Sequence, residues 1–228
     1  MFPLKDDIPV RRTPIVTLGL VAASVAVFAW QVGWSGSFAG SVTWLGLVPA
    51  DLVAPASVGL PPVEKLFTSM FAHGSLLHLG SNMLFLWIFG NNVEDVMGRG
   101  RFVGFYLLCG LGAAAAQVAS EPGSAIPMVG ASGAIAGVLG AYLLLFPRAR
   151  VLALVPIFVF IRLMWIPAVV FLGLWFLFQV VGGLGSGGEP GGVAFWAHVG
   201  GFVAGLVLVK PFVGDDWPRA HASWSRSW

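Results

Sequence analysis

The chain has 228 residues, 57% of them hydrophobic and only 10% charged, with a mean hydropathy of +0.88. A soluble domain carries roughly a quarter charged residues, so the composition excludes a soluble globular fold and points to an integral membrane protein. A net charge of +2 without any Lys/Arg-rich run excludes nucleic acid as a partner, and the single cysteine, Cys109, excludes an intramolecular disulfide, a CxxC site or a zinc cluster.

Apolar runs near 20 residues long mark candidate spans, and there is room for six of them with short loops but for no further soluble domain. A short polar or mixed tail, 1–13, precedes segment one at 14–34. That segment follows Arg11 and Arg12 but lacks a small-x-small cleavage site, which favours an uncleaved first span over a signal peptide. The loop 35–68 is apolar, with Trp44, Leu45, Leu47 and Leu52, and is expected to lie in the outer membrane interface. Segments two and three follow at 75–93 and 102–119. Segment four, 132–146, is closed by Pro147. Segments five and six are placed at 166–184 and 194–212, and a tail, 213–228, ends the chain.

Orientation follows from lysine and arginine. With the N-terminus inside, the inner side receives Lys5, Arg11, Arg12, Arg99, Arg101, Arg148, Arg150, Arg162, Lys210, Arg219 and Arg226, and the outer side only Lys65. The expected fold is therefore all-α: a polytopic bundle of six transmembrane helices, N-in and C-in.

Segment four reads SGAIAGVLGAYLLLF, about 15 residues where ~20 are needed to cross at 1.5 Å each. Its start, Ser132, is expected below the outer surface, with loop 120–131 dipping to meet it. Irregular backbone at that depth requires covering protein or a water-filled cavity, so a wet recess with a serine at its floor is predicted. His198 lies about one turn into segment six, near the same side. Gly133, Ala136, Gly137 and Gly140 make a small-residue face beside Ser132, and Gly201 and Gly205 share the face of His198. Such seams let transmembrane backbones approach closely, as a serine–imidazole hydrogen bond requires.

A serine in a Gly/Ala helix is usually a packing residue that bonds back to a carbonyl. An intramembrane histidine is costly and tends to be functional. His78 and Asn82, spaced i, i+4 in segment two, add an imidazole and an amide on one face. With a backbone N–H at the start of helix four they could stabilise an oxyanion; equally, they could tether loops. His73 reads as a loop tether and His221 as a solvated tail residue. No Asp or Glu falls in the outer halves of the spans, which disfavours a Ser-His-Asp triad and leaves a Ser–His dyad, its imidazole oriented by helix packing rather than by a carboxylate.

These stretches resemble the rhomboid intramembrane serine proteases. His78-Leu-Gly-Ser-Asn82 fits HxxxN, Gly90 to Gly98 with Glu94 between them fits GxxxExxxG, and Gly130-Ala-Ser132-Gly133 fits GxSG. Ala197-His198-Val-Gly-Gly201 stands in the last span. GxSG alone is common among hydrolases; the four motifs in order on six spans are specific, and the resemblance covers roughly 14–212, the rhomboid core between the two cytoplasmic tails.

The resemblance implies a six-helix bundle with a cavity open to the extracytoplasmic side of the cell membrane. Ser132 would be the nucleophile and His198 the general base, with Asn82, His78 and the Ser132 amide as oxyanion hole. Glu94 would tie the inner end of segment two, with Gly90 and Gly98 allowing close packing. No metal or organic cofactor is implied. Implied substrates are single-span membrane proteins in the lipid bilayer, cut in or beside the span where the helix unwinds. Many members carry Trp-Arg in the first loop; the corresponding place here reads Val63-Glu64-Lys65-Leu66, a departure from the family pattern in that loop. Two other classes are weighed against this. A catalytically silent scaffold typically loses the serine or the histidine, and both are kept. A small transporter should show internal repeats or midplane acids, and neither is seen.

Overall fold

The computed structural model describes residues 1–33, 36–53, 59–157, 160–185 and 193–214. His221, Arg219 and Arg226 lie outside the described residues. Strand β1 (Phe2–Asp6) precedes α1 (Ile15–Val32), and α2 (Phe38–Leu45), α3 (Pro49–Val53) and α4 (Pro62–Thr68) form the first loop. Helix α5 (Leu76–Phe85) continues through a π-helical turn, Leu86–Gly90, into α6 (Asn91–Met97). Then come α7 (Arg99–Ser120), α8 (Ser132–Leu145), strands β2 (Arg150–Ile157) and β3 (Phe160–Pro167), α9 (Ala168–Gly185) and α10 (Phe195–Val213).

Among the described residues, α1, α7, α9 and α10 are long and apolar enough to cross a membrane. The other two apolar segments differ for separate reasons. Segment two is helical from 76 to 97 but is interrupted by the π turn. Segment four is a helix of 14 residues, about 21 Å long at 1.5 Å per residue.

The helix exteriors suit lipid. Helix α1 buries only Thr17, Ser24 and Gln31, its polar residues at seven-residue spacing, while Leu18, Val25 and Trp30 are exposed. A soluble helix buries its apolar stripe; this one turns that stripe outward. Glycine brings the inner helices together. A Cβ on Gly201 would overlap the Gly133 carbonyl oxygen, one on Gly205 the Gly137 carbonyl, and one on Gly140 the Phe202 carbonyl. Helices α8 and α10 therefore pack backbone on backbone, as membrane helices do without a hydrophobic drive between them. Below this seam Phe89, Tyr142 and Phe171 fill the core, with Phe89 edge-on to Tyr142 at 4.9 Å.

The all-α expectation needs correcting. Strands β1, β2 and β3 form an antiparallel sheet in that order, with Phe2 opposite Leu154 and Val155 opposite Arg162. Residues 150–167, RVLALVPIFVFIRLMWIP, are rich in β-branched and aromatic side chains, which suit strands. Pro156 would break a helix there. It falls beyond Leu154, the last β2 residue paired with β1, where β2 has β3 alone as neighbour and a missing N–H is tolerated. The continuous apolar run lacks the alternation that identifies a strand from sequence.

The first loop also differs in detail from an interfacial apolar stretch. Leu47 is fully buried and bridges to Met128, N–H to O at 3.0 and 2.7 Å in the two directions, which stitches loop 120–131 to it. Lys65, read as an outer-side charge, is buried and pairs with Asp51 at 3.5 Å.

Candidate active site

Helix α8 starts at Ser132, after an N-cap alanine, Ala131, whose side chain makes no capping bond. The first N–H groups of a helix lack intrahelical partners and, with the helix dipole, favour negative charge in front of them. A hydroxyl on the first residue therefore stands where a developing anion is best received.

His198 comes from the first turn of α10. The Gln117 Oε1 atom on α7 accepts the Ala197 N–H at 3.1 Å, and the Gln117 amide in turn donates to Glu121 Oε2 at 3.2 Å, pinning the start of α10. The glycine seam sets the approach of α8, and His198 Nε2 lies 2.8 Å from Ser132 Oγ. On its other edge, His198 Nδ1 lies 2.7 Å from Gln179 Oε1 of α9, and the Trp175 ring sits 5.8 Å away, centroid to centroid. Helix packing alone was the expected orienter of the imidazole; an amide contacts it as well.

His78 and Asn82 face the same space. Ser75 caps α5 by accepting the His78 N–H at 3.1 Å, and the Asn82 amide donates to the His78 carbonyl at 3.0 Å, leaving its second N–H free of that bond. The Gly74 N–H points at His78 Nδ1 at 3.4 Å, so the ring proton belongs on Nε2. That Nε2 lies against Gly130, where an added Cβ would stand 2.7 Å from it and 3.6 Å from Ser132 Oγ. Gly130 has φ +124°, closed to most side chains, and its N–H donates to the Ser69 carbonyl at 2.8 Å. Glycine is needed here twice, for its conformation and for the room it leaves the imidazole.

Ser132, His198, His78 and Asn82 line one cavity of about 1150 Å³, with Gln117 and Trp175 also on its wall. Glu121 reaches it too, so an acid is present, but the hydrogen bond of its carboxylate is to Gln117 and not to either histidine. His73 is apart from this set. Its N–H donates to Gln31 Oε1 at 2.9 Å and its Nδ1 lies 3.0 Å from the Phe71 carbonyl, which ties the loop to α1. Burial first, and the neighbouring His78 second, push its pKa down to about 4.

The remaining motif sits at the other end. Glu94 is buried and accepts the Val16 N–H at 3.0 Å, the Thr17 N–H at 2.7 Å and the Thr17 hydroxyl at 2.8 Å, capping the start of α1. Gly90 packs close, with an added Cβ 2.9 Å from Leu86 and 3.5 Å from Thr17 Oγ1. Gly98 does not: nothing lies within 4 Å of its would-be Cβ, and its φ of +79° turns α6 into α7. Conformation, not close packing, requires glycine there. Gly133 meets Ala113 Cβ at 2.6 Å.

Sequence reasoning passed over three glutamines, Gln31, Gln117 and Gln179, each buried and each holding an element of the site or its loops. The signal was available, since an amide within an apolar span is costly unless paired, but neutral amides draw less notice than histidines and acids.

The fold and site define a helical integral membrane protein with a serine–histidine pair in an internal cavity. A family model described as the rhomboid domain matches residues 62–214, and the chain belongs to the rhomboid family. It is 34% identical over 152 residues to the rhomboid protease GluP of Bacillus subtilis, covering 66% of this chain and 27% of that protein. It is 34% identical over 95 residues to rhomboid protein 1, mitochondrial, of Saccharomyces cerevisiae, 40% of this chain and 28% of that one. It is 30% identical over 146 residues to the human presenilin-associated rhomboid-like protein, mitochondrial, 62% of this chain and 36% of that one. The chain thus spans well under half the length of these relatives.

Proposed function

We propose that this chain is an intramembrane serine endopeptidase that hydrolyses peptide bonds in or beside the spans of single-span membrane proteins. The observation that carries this reading is the 2.8 Å contact between Ser132 Oγ and His198 Nε2 on the wall of a cavity inside a membrane protein. The cavity suits an unwound stretch of peptide, because a regular helix keeps its carbonyls hydrogen-bonded and shielded.

In this mechanism His198 Nε2 takes the Ser132 proton as Oγ attacks the substrate carbonyl. The electron pair moves onto the carbonyl oxygen, and the oxyanion is met by the Ser132 N–H, the His78 Nε2–H and the free Asn82 N–H. Collapse breaks the C–N bond, with His198 giving its proton to the leaving amine. A water activated by the same imidazole then releases the acyl group and restores the serine. Glu94 has no part in these steps; it fixes α1 on α6.

We assign the chain six spans with both termini inside. The sheet supports this reading: β1 of the N-terminal tail pairs with β2 of loop 147–165, so both lie on one side. The cavity then opens on the extracytoplasmic side of the cell membrane. Two of the relatives are named as mitochondrial, and fractionation of tagged protein decides between the membranes.

The test is cleavage of a single-span substrate co-reconstituted in liposomes, with the new terminus sequenced. Wild type should cut within or beside the span and Ser132→Ala should not. Cleavage that survives Ser132→Ala would remove the serine from the mechanism.

A further inference from the structure

We infer that Gln179 is the positioning residue for the His198 imidazole, so that the site is a Ser–His–Gln relay rather than a dyad held by packing alone. The inference rests on the proposed role of His198 as general base.

The amide of Gln179 is buried on α9. Its Nε2 lies 3.1 Å from the Trp175 carbonyl oxygen, one turn earlier. A carbonyl only accepts, so the NH2 group must face Trp175. The flipped amide would set Oε1 against that carbonyl, oxygen to oxygen. Oε1 is thereby directed at His198, and at 2.7 Å from Nδ1 it can only accept. The proton of the neutral imidazole is held on Nδ1. Nε2 then presents its lone pair to Ser132 Oγ at 2.8 Å, as a general base requires. The order of donors runs from Ser132 O–H to Nε2, from Nδ1–H to Gln179, and from Gln179 N–H to Trp175.

The chemical choice is intelligible in a bilayer. A carboxylate in this position would orient the ring but carry a charge that is costly within a span. An amide supplies the same acceptor without charge, and its other end is fixed by its own helix. Without it, Nδ1 would have no partner from α9, and the opposite tautomer, with Nε2 protonated and unable to accept from serine, would become populated.

The test uses the full-length protein in liposomes, with wild type, Gln179→Met and Gln179→Glu compared. Methionine keeps the length and loses the acceptor; glutamate keeps the acceptor. Cleavage of a single-span substrate should fall in kcat by roughly 10- to 100-fold in Gln179→Met, by analogy with the loss of the hydrogen-bond partner behind a metal-binding histidine, with KM unchanged. Gln179→Glu, neutral and protonated within the span, keeps both bonds, its O–H donating to the Trp175 carbonyl and its other oxygen accepting from Nδ1, and should recover activity over Gln179→Met. 15N-histidine spectra, with the His198 signals assigned from His198→Ala, should show Nδ1–H in wild type and a mixture of tautomers in Gln179→Met.

Wild-type kcat and tautomer in Gln179→Met would overturn the inference. So would equal losses in both variants with the Nδ1–H signal intact, since that outcome marks a helix tether. An inactive wild type would instead overturn the protease reading, while the spectra still report on the Gln179 contact.

Discussion

A serine hydroxyl in water is a weak nucleophile, and in the proposed mechanism the imidazole 2.8 Å away activates it. Because the two groups act as a unit, His198→Ala should reduce substrate turnover as far as Ser132→Ala, and the double variant no further. Cleavage assays in liposomes check this; an additive double variant would separate the residues. In the same proposal Asn82 meets the oxyanion, and Asn82→Ala should cost about 10²–10³ in kcat with folding retained. That Ser132, His198, His78 and Asn82 come together was legible in the sequence. Histidine and serine in apolar spans stand out, and HxxxN and GxSG sit where the cavity is. Gln179 was not legible, because its role depends on which way an amide points, and that follows only from the Trp175 carbonyl beside it.

At the scale of helices, the site depends on how closely α10 meets α8. The small-residue seam was readable from the spacing of Gly133, Gly137, Gly201 and Gly205, and the structure puts α8 carbonyl oxygens where side chains on Gly201 and Gly205 would be. Gly201→Ala should therefore destabilise the protein by about 1–3 kcal/mol, the usual cost of overpacking, and reduce turnover by moving the imidazole. Gly173→Ala on α9 is the control. Nothing lies within 4 Å of its added methyl, and alanine is the better helix former by about 1 kcal/mol, so its melting temperature should hold or rise. The sheet was missed at this scale, since an unbroken apolar run carries no period and the N-terminal strand has its partner some 150 residues away.

For the whole molecule, the N-terminal strand is tied onto the helices by Asp6. Asp6 Oδ2 accepts from the Tyr142 hydroxyl and from the Asn92 amide, each at 2.6 Å, joining β1 to α8 and α6. Burial pushes the Asp6 pKa up to about 6; the Tyr142 bond opposes that rise and neighbouring Asp7 adds to it. The unfolded chain loses this proton near pH ~3.9. Between about pH 4 and pH 6 the folded state thus holds a proton that the unfolded state has released, and the Asp6 contribution to stability declines as pH rises through that window. Melting temperatures of wild type and Asp6→Asn across this range should show wild type losing ground as pH rises and a constant difference above pH ~6. Two parallel curves would show that Asp6 does not titrate there. His73 works in the opposite sense, with its pKa pushed down to about 4, but it is common to both proteins and cancels in the difference. Membrane character was legible at once from composition; this latch was not, because a carboxylate in a short polar tail gives no sign of what it will pair with.

The central claim is that Ser132 is an activated nucleophile because His198 holds its proton. It is tested most directly by a fluorophosphonate serine probe applied to the protein in liposomes, with wild type, Ser132→Ala and His198→Ala side by side. Labelling of wild type alone is the expected result. Equal labelling of wild type and His198→Ala would contradict it, as would a folded wild type that stays unlabelled while a serine protease in the same liposomes reacts.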